Sequence, residues 1–347
     1  MTYFLTKLRF ILLTLFSLLA FAASAWYYYQ SELEAPMNLS TSNVLIEIKQ
    51  GDSLNTVLAR LREQKILKTP WIAKLYAKEK QLANKIKVGE FSLHAGTNII
   101  GLFDLITSNQ QFSYSIRFIE GTTFRDMQKV LEAQSKLKHL LEGLTEADIL
   151  KRLNLGSGLS NLEGQFYPDT YIFLKNDTDI SILKRAHKRL QTILKAEWAN
   201  KQKDLPLKTP YEALILASIV EKETGAAHER SEISGVFMRR LEKRMRLQTD
   251  PTVIYGLGAR YQGNITRKHL KEVTPYNTYR IKGLPPTPIA MVGRDAIHAA
   301  VNPKKGASLY FVAKGDGTHQ FSDTIKAHNK AVRKFQLKRR ADYRSSQ

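Results

Sequence analysis

The chain has 347 residues, enough for about two domains, and its 43% hydrophobic and 10% aromatic content supplies a sizeable core, so a wholly disordered polymer is excluded. With 53 basic against 32 acidic residues the net charge is +21, which predicts attraction to nucleic acid, anionic lipid or an acidic wall polymer. There are no cysteines, which excludes a disulfide scaffold, a Cys-ligated zinc site, an iron–sulfur cluster and a cysteine nucleophile.

After Lys7 and Arg9, the 22 residues from Phe10 to Ser31 carry no charge. As a helix they span about 33 Å, enough to cross the hydrocarbon core of a bilayer. Trp26, Tyr27, Tyr28 and Tyr29 then suit the far headgroup layer. Ala23-Ser24-Ala25 also has the form of a signal-peptidase site, but the length of the run and its aromatic end favour an uncleaved anchor. The positive-inside rule leaves Lys7 and Arg9 in the cytoplasm and exports everything after Glu32. Export argues against nucleic acid as the acidic partner and leaves wall polymer and the membrane surface.

Residues 32–43 are polar, include Pro36, and read as a tether. Val44, Ile46 and Ile48 then alternate with Leu45, Glu47 and Lys49, the pattern of a half-buried strand. Gln50-Gly51-Asp52-Ser53 is a turn in which Asp52 or Ser53 can cap a helix carrying Leu54, Val57, Leu58 and Leu61 on one face. A second helix runs from Pro70 to about Leu82, a short strand over 88–93 and another helix over 99–106. This strand–turn–helix–helix–strand unit, with its turn at Ile48–Leu54, resembles the LysM family, whose modules bind polymers containing N-acetylglucosamine.

Arg117–Phe124 reads as a strand passing through a Gly turn into a helix capped by Thr122 or Thr123. Residues 135–158 read as helical and basic with a Gly-rich end, and 180–203 as a long helix with a basic exposed face. The aromatics of Asn161–Phe173 are expected mainly in the core, although stacking on sugar faces is open to them. Pro210–Thr224 opens with Pro in the first turn and carries apolar residues on most sides, which predicts a buried helix. It ends in Glu221-Lys222-Glu223. The two glutamates stand about 200° apart on the helix, yet each has apolar neighbours within a turn, so the wheel leaves both open. A carboxyl at the end of an apolar stripe loses hydration and holds its proton to higher pH, as a general acid must.

Ile233, Val236, Phe237 and Leu241 mark an amphipathic helix with Arg239, Arg240 and Glu242 between or beyond them. Leu247–Tyr255 and Thr274–Tyr279 then crowd amide, hydroxyl, carboxylate and phenol groups into Pro-punctuated segments, the chemistry that suits a carbohydrate.

Ala217–Glu223 (ASIVEKE), Leu247–Tyr255 (LQTDPTVIY), Tyr276–Tyr279 (YNTY) and Gly283–Pro286 (GLPP), in that order, resemble the YceG-type endolytic murein transglycosylases from the anchor to about residue 332. The resemblance implies an enzyme that cuts nascent glycan strands beside the synthases (penicillin-binding proteins) that make them. It also implies that the second glutamate of the E-K-E element, here Glu223, is the catalytic one. Attack on C1 by the muramic acid's own C6 hydroxyl leaves a 1,6-anhydro end, so one carboxyl can serve as acid and then as base. Gln248, Asp250, Tyr255, Asn277 and Tyr279 are the candidates for holding the sugars, with Asp250 or Glu221 open as a second carboxylate. Three positions depart from the family: Arg239 stands where Asn is usual, Thr287 where Gly is usual, and Met291-Val292-Gly293 replaces a turn with Pro before the Gly.

No H-E-x-x-H arrangement points to zinc, no G-x-S-x-G elbow to serine catalysis, and no cofactor is expected. Gly315-Asp316-Gly317 reads as a hairpin turn, His319 and His328 as structural or surface residues, and 326–344 as a solvated basic helix. The expected protein is thus α+β, with a cytoplasmic stub and single transmembrane anchor (1–31), a tether (32–43), a LysM-like βααβ module (44–112) and a periplasmic transglycosylase domain (113–347) on the inner membrane.

Overall fold

The uncharged N-terminal run forms one helix, α1 (Thr2–Glu34), whose apolar window is fully exposed and long enough to cross a membrane. The computed structural model describes residues 2–39, 41–155, 159 and 161–337. It divides into two units, the first ending at Tyr114 and the second beginning at Ser115.

In the first unit β1 (Asn43–Ile48) is followed by α2 (Leu54–Glu63), α3 (Pro70–Glu79), β2 (Gly89–His94) and α4 (Ile99–Thr107). The strands pair antiparallel, with Ile46 opposite Phe91 and Ile48 opposite Gly89. The 49–53 turn is closed by Asp52, which accepts from the Lys49 amide at 2.8 Å and pairs with Arg60 at 2.9 Å. Ser53 is the cap, accepting from the Thr56 amide, and it starts a helix that buries Leu54, Val57, Leu58 and Leu61. The segment expected to be a tether is bound down instead. The helix runs on to Glu34, Tyr29 and Leu33 lie in the unit's core, and the Met37 and Asn38 amides donate to the carbonyls of Thr97 and Ile66. Polar composition suggested a linker, but these backbone groups have partners in the module.

The second strand pair is β3 (Ser113–Arg117) beside β4 (Thr170–Leu174). Between them α5 (Phe124–Glu132) begins with a capping box in which Thr123 and Asp126 exchange bonds. The helix expected over 135–158 shortens to α6 (Glu146–Leu153), and Gly156, Ser157 and Gly158 lie outside the described residues. Residues 135–145 form turns because their amides are used elsewhere: Lys138 donates to the Asp177 carbonyl, and Leu140 and Leu141 both donate to the buried Asp179 carboxylate at 2.9 Å. Phe166, Tyr171 and Phe173 are core residues.

The long α7 (Asp179–Ala199) leads to α8 (Pro210–Glu223), the axis of the unit, which is buried from Ala213 to Val220. Around it lie α7, α9 (Arg230–Glu242), α10 (Asp250–Leu257) and α12 (Arg294–Val301), with the short α11 (Arg267–Lys271) beside α10. The buried Ser218 hydroxyl of α8 donates to the Ile215 carbonyl at 2.7 Å and accepts from the Ile289 amide at 3.0 Å, fixing the 287–293 segment to the helix. α9 is buried on more than the amphipathic stripe read from its sequence, since Ser234, Gly235 and Arg240 join its apolar residues inside.

A terminal hairpin, β5 (Tyr310–Ala313) and β6 (His319–Ser322), turns through Gly315-Asp316-Gly317, and α13 (Ile325–Val332) packs against it. Of the tail expected as a solvated basic helix, residues 326–337 are helical and mostly exposed, with His328 stacked on Tyr310 and Gln336 donating to the Ala313 carbonyl, while residues 338–344 lie outside the described residues. The buried His319 donates from Nδ1 to the Glu229 carboxylate at 2.7 Å, joining the hairpin to the start of α9.

Because Leu216 is completely enclosed, Leu216→Ala leaves a cavity that does not close and costs about 2–5 kcal/mol. Denaturant unfolding of the full chain, followed through Trp198 of α7, reads this as a lower midpoint with an unchanged slope.

Candidate active site

Glu223 is the last residue of α8, and the chain leaves the helix at Thr224 in extended geometry. A carboxylate there meets two unfavourable conditions. It is half-buried by the packing around α8 and loses part of its hydration, and it stands at the negative end of the helix dipole. Burial, with help from the nearby charge of Asp250, pushes the Glu223 carboxyl up to about 7; the Thr249 hydroxyl and the Arg240 guanidinium pull in the other direction.

Thr249 precedes Asp250-Pro251 and occupies the cap position of α10, yet its hydroxyl makes no capping bond and donates to Glu223 Oε1 instead. A residue type chosen for helix starts has been diverted to the carboxyl, which is the kind of broken local rule expected at a working site. Its backbone is held by neighbours: the Thr249 amide donates to Thr278 Oγ1 at 3.0 Å, and its carbonyl accepts from Thr252 Oγ1 at 2.8 Å. Gln248, just before it, is exposed in left-handed backbone (φ 51°), and its amide donates to the Thr278 carbonyl. Such a conformation in a non-glycine residue persists only where surrounding structure imposes it.

The rest of that imposition comes from Arg240. Its guanidinium is buried and donates to the carbonyls of Arg246, Leu247 and Leu309, while its face lies over Tyr310. Burial lowers its pKa. Among the described residues it is thus a cation whose bonds go to backbone, and it ties the 246–249 segment to the hairpin while supplying positive potential toward Glu223. Sequence reading placed Arg240 only between or beyond the apolar residues of its helix. It stands seven residues after Ile233 and three after Phe237, on the apolar stripe, and that register was the available signal. Thr249 carried no such signal, because its sequence context reads as an ordinary cap.

The candidate residues fall into two groups. Glu223, Thr249, Asp250 and Tyr279 come together: Tyr279 donates its hydroxyl to Asp250 Oδ1 at 2.7 Å, and the Glu223 and Asp250 charges with burial raise its pKa. Gln248 adjoins them at the surface. Asn277 is turned inward. Its amide nitrogen donates to the carbonyls of His269, Leu270 and Glu272, and its oxygen accepts from the Tyr279 amide at 3.0 Å. Its polar atoms thus go to shaping the loop that presents Tyr279. Tyr255 also faces inward, edge-on to Tyr276 at 4.9 Å with its hydroxyl toward Glu163.

Glu163 is a second carboxyl lifted to about 7 by burial, and Oε1 accepts from the Phe124 amide at the start of α5. The sequence reading passed over it among aromatics. Gly164 beside it has φ +70° and lies so close to Pro288 that any added Cβ would collide, which sets the turn carrying Glu163 firmly against the 287–290 segment.

Glu221, left open by the wheel, is committed elsewhere. It accepts from Arg230 at 3.1 Å and from the Gly293 amide at 2.9 Å, although burial still raises its pKa overall. Of the departures from the family pattern, Thr287 is not among the described residues with positive φ, and its hydroxyl meets the Tyr276 hydroxyl at 2.8 Å. Arg239 donates to the carbonyls of Ser308 and Lys304. Met291 exchanges backbone bonds with Gly121 and Thr122. Among the described residues no group of three or more His, Cys, Asp or Glu is placed to hold a metal ion.

Residues 46–334 match the YceG-like family. An endolytic murein transglycosylase of Bacillus subtilis is 30% identical over 327 residues, covering 90% of each chain. One from Streptococcus pneumoniae is 24% identical over 353 residues, covering 90% of this chain and 62% of its own. A crystal structure of a YceG-like protein from Listeria monocytogenes, 29% identical, superposes with a TM-score of 0.52 over 84% of this chain and 99% of that one. A match running from the first strand to the last described helix, with a curated relative at this identity over nine-tenths of both chains, makes the protein a member of the YceG-like family.

Proposed function

We propose that this protein is a peptidoglycan transglycosylase anchored in the inner membrane, with its second unit in the periplasm, and that it cuts nascent glycan strands internally, ending their elongation beside the synthases. Family membership and the names of its relatives support the reaction class. The observation that carries the assignment to this site is a half-buried carboxyl at the end of an enclosed helix, bonded by the Thr249 hydroxyl and pushed up to about 7.

In this reading the MurNAc–GlcNAc bond lies over Glu223. The protonated carboxyl gives its proton to the glycosidic oxygen as the C1–O bond breaks, and the departing sugar leaves with a hydroxyl. Positive charge that develops at C1 and the ring oxygen faces the new carboxylate and, beside it, Asp250, whose position Tyr279 holds. The C6 hydroxyl of the same muramic acid then attacks C1, its proton returning to Glu223, and the 1,6-anhydro ring closes with the acid regenerated. Because nucleophile and electrophile belong to one residue of the substrate, attack is intramolecular and needs positioning more than a second catalytic base. Thr249 and Arg240 matter mainly in the middle of the cycle, when the carboxyl is ionised: one donates a hydrogen bond to it and the other offsets its charge. Gln248, at the surface, is assigned to sugar hydroxyls. Tyr255 is assigned to the wall of the site, with Glu163 fixing its hydroxyl. The βααβ module, by its likeness to LysM, is assigned a second hold on the strand.

Glu223→Gln keeps the shape but removes the transferable proton, and release of anhydro-ended fragments from purified sacculi drops about 10²–10⁴-fold. Mass spectrometry of the products decides between readings, since reducing ends identify a hydrolase and an unaltered polymer identifies a non-catalytic wall-binding scaffold.

The pH dependence carries a sign. The first step needs the protonated acid, so kcat/KM falls as pH rises through about 7. Thr249→Val removes a bond that favours the ionised form and moves this limb to higher pH; Asp250→Asn removes a charge that disfavours it and moves the limb lower. Profiles of the two variants shifting in the same direction contradict the assignment.

A further inference from the structure

The first unit exposes a strip that its own core does not account for. On α3 the inward residues Ile72, Ala73 and Ala77 are fully buried, while Trp71, Lys74, Leu75 and Lys78 lie outward, with Trp71 57% and Leu75 47% exposed. This strip is continuous with α1. Trp71 stacks on Tyr28 with ring centroids 6.5 Å apart, and Leu75 and Lys78 share a groove of about 620 Å³ with Ala22 and Ala25. The contact is firm: Tyr29 donates to Glu79 at 3.0 Å, Thr69 donates to Glu32 at 2.9 Å, and Leu33 is in the core.

The depth of these contacts matters. The Trp26–Tyr29 cluster marks the far headgroup layer, which puts the outer edge of the hydrocarbon core near Ala25. Ala22 then lies about 4.5 Å inside that edge and Ala25 at it. A side chain that shares a groove with them stands at the level of the headgroups.

We propose that this face of α3 is a membrane-docking surface, seated in the outer interfacial layer of a bilayer containing anionic phospholipid. The inference rests on the anchor reading given above. Leu75 and the Trp71 ring enter the boundary of the acyl chains, as on an interfacial amphipathic helix, and Lys74 and Lys78 reach up to lipid phosphates. Of the acids nearby, Glu79 pairs with Lys80, Glu63 shares a groove with Arg62 and Lys74, and Glu32 accepts from Thr69, so the strip keeps a small positive excess. The first unit therefore lies on the membrane in a set orientation rather than swinging from a flexible stalk.

The absence of native cysteine makes the test direct. Leu75→Cys and, as an anchor reference, Phe16→Cys are each spin-labelled in the full chain, reconstituted into vesicles of phosphatidylethanolamine and phosphatidylglycerol. Collisions with oxygen, which concentrates in lipid, are compared with those of a water-soluble nickel chelate. The expected result is oxygen exceeding nickel at both positions, with the ratio at 75 falling when Lys74→Glu and Lys78→Glu are added. A label at 75 open to nickel, with the label at 16 in lipid, overturns the docking surface and leaves the anchor standing. Shielding from both reagents at 75 also overturns it, because protein, a second copy or another chain, then covers the face. Nickel access at 16 defeats the anchor reading and the inference with it.

Discussion

Keeping one carboxyl group largely, though not wholly, out of water at the end of a helix is the constraint from which the second unit's architecture follows. Glu223 is disfavoured as an anion by burial, by the helix end and by Asp250, and is allowed to ionise only through one hydroxyl and one distant cation. That balance requires α8 to be surrounded along its length, which explains why a helix with two glutamates at its end is otherwise apolar on nearly every side. It also requires that the groups around the carboxyl stay fixed, since a shift of a fraction of an ångström at Thr249 would change the proton affinity being tuned.

The fixing is done by buried polar groups bonded to backbone. Arg240 grips three carbonyls, Asn277 grips three more, Ser218 joins α8 to the 287–293 segment, and Glu221 holds the Gly293 amide through its own ion pair with Arg230. Each would be costly if left half satisfied, so the loops they bind are held in a single arrangement. Two glutamates two residues apart thus do opposite work: one braces the scaffold, and the other is presented with a single side-chain partner. Thr287 fits the same pattern, because its hydroxyl meets Tyr276 where a glycine would leave that phenol to water.

In the first unit the corresponding feature is the absence of slack between α1 and the module. A helix that continues into a packed core transmits its tilt and rotation to what it carries, whereas a polar linker would average them away. The buried Leu33 and the bonds of Met37 and Asn38 make the difference, and none of these is visible in a composition that looks like a linker.

Much of this was legible from residue patterns alone. Period-2 alternation marked β1, helical spacing marked α2, α4 and α8, and the Thr-x-x-Asp start of α5 carried its own cap, because these signals act between residues close in the chain. The uncharged run of α1 needed no more than counting. What the sequence could not decide were matters of long-range partnership. The wheel left Glu221 and Glu223 equivalent; the family resemblance chose Glu223, and the packing of Glu221 against Arg230 and Gly293 gives the physical difference between them. Residues 135–145 had helical composition, but the Asp179 carboxylate, some forty positions away, claims their amides. Asn277 and Arg240 had the chemistry of surface groups and became interior struts, because a polar side chain can be buried wherever carbonyls from distant segments converge to satisfy it, and that convergence exists only in the folded chain.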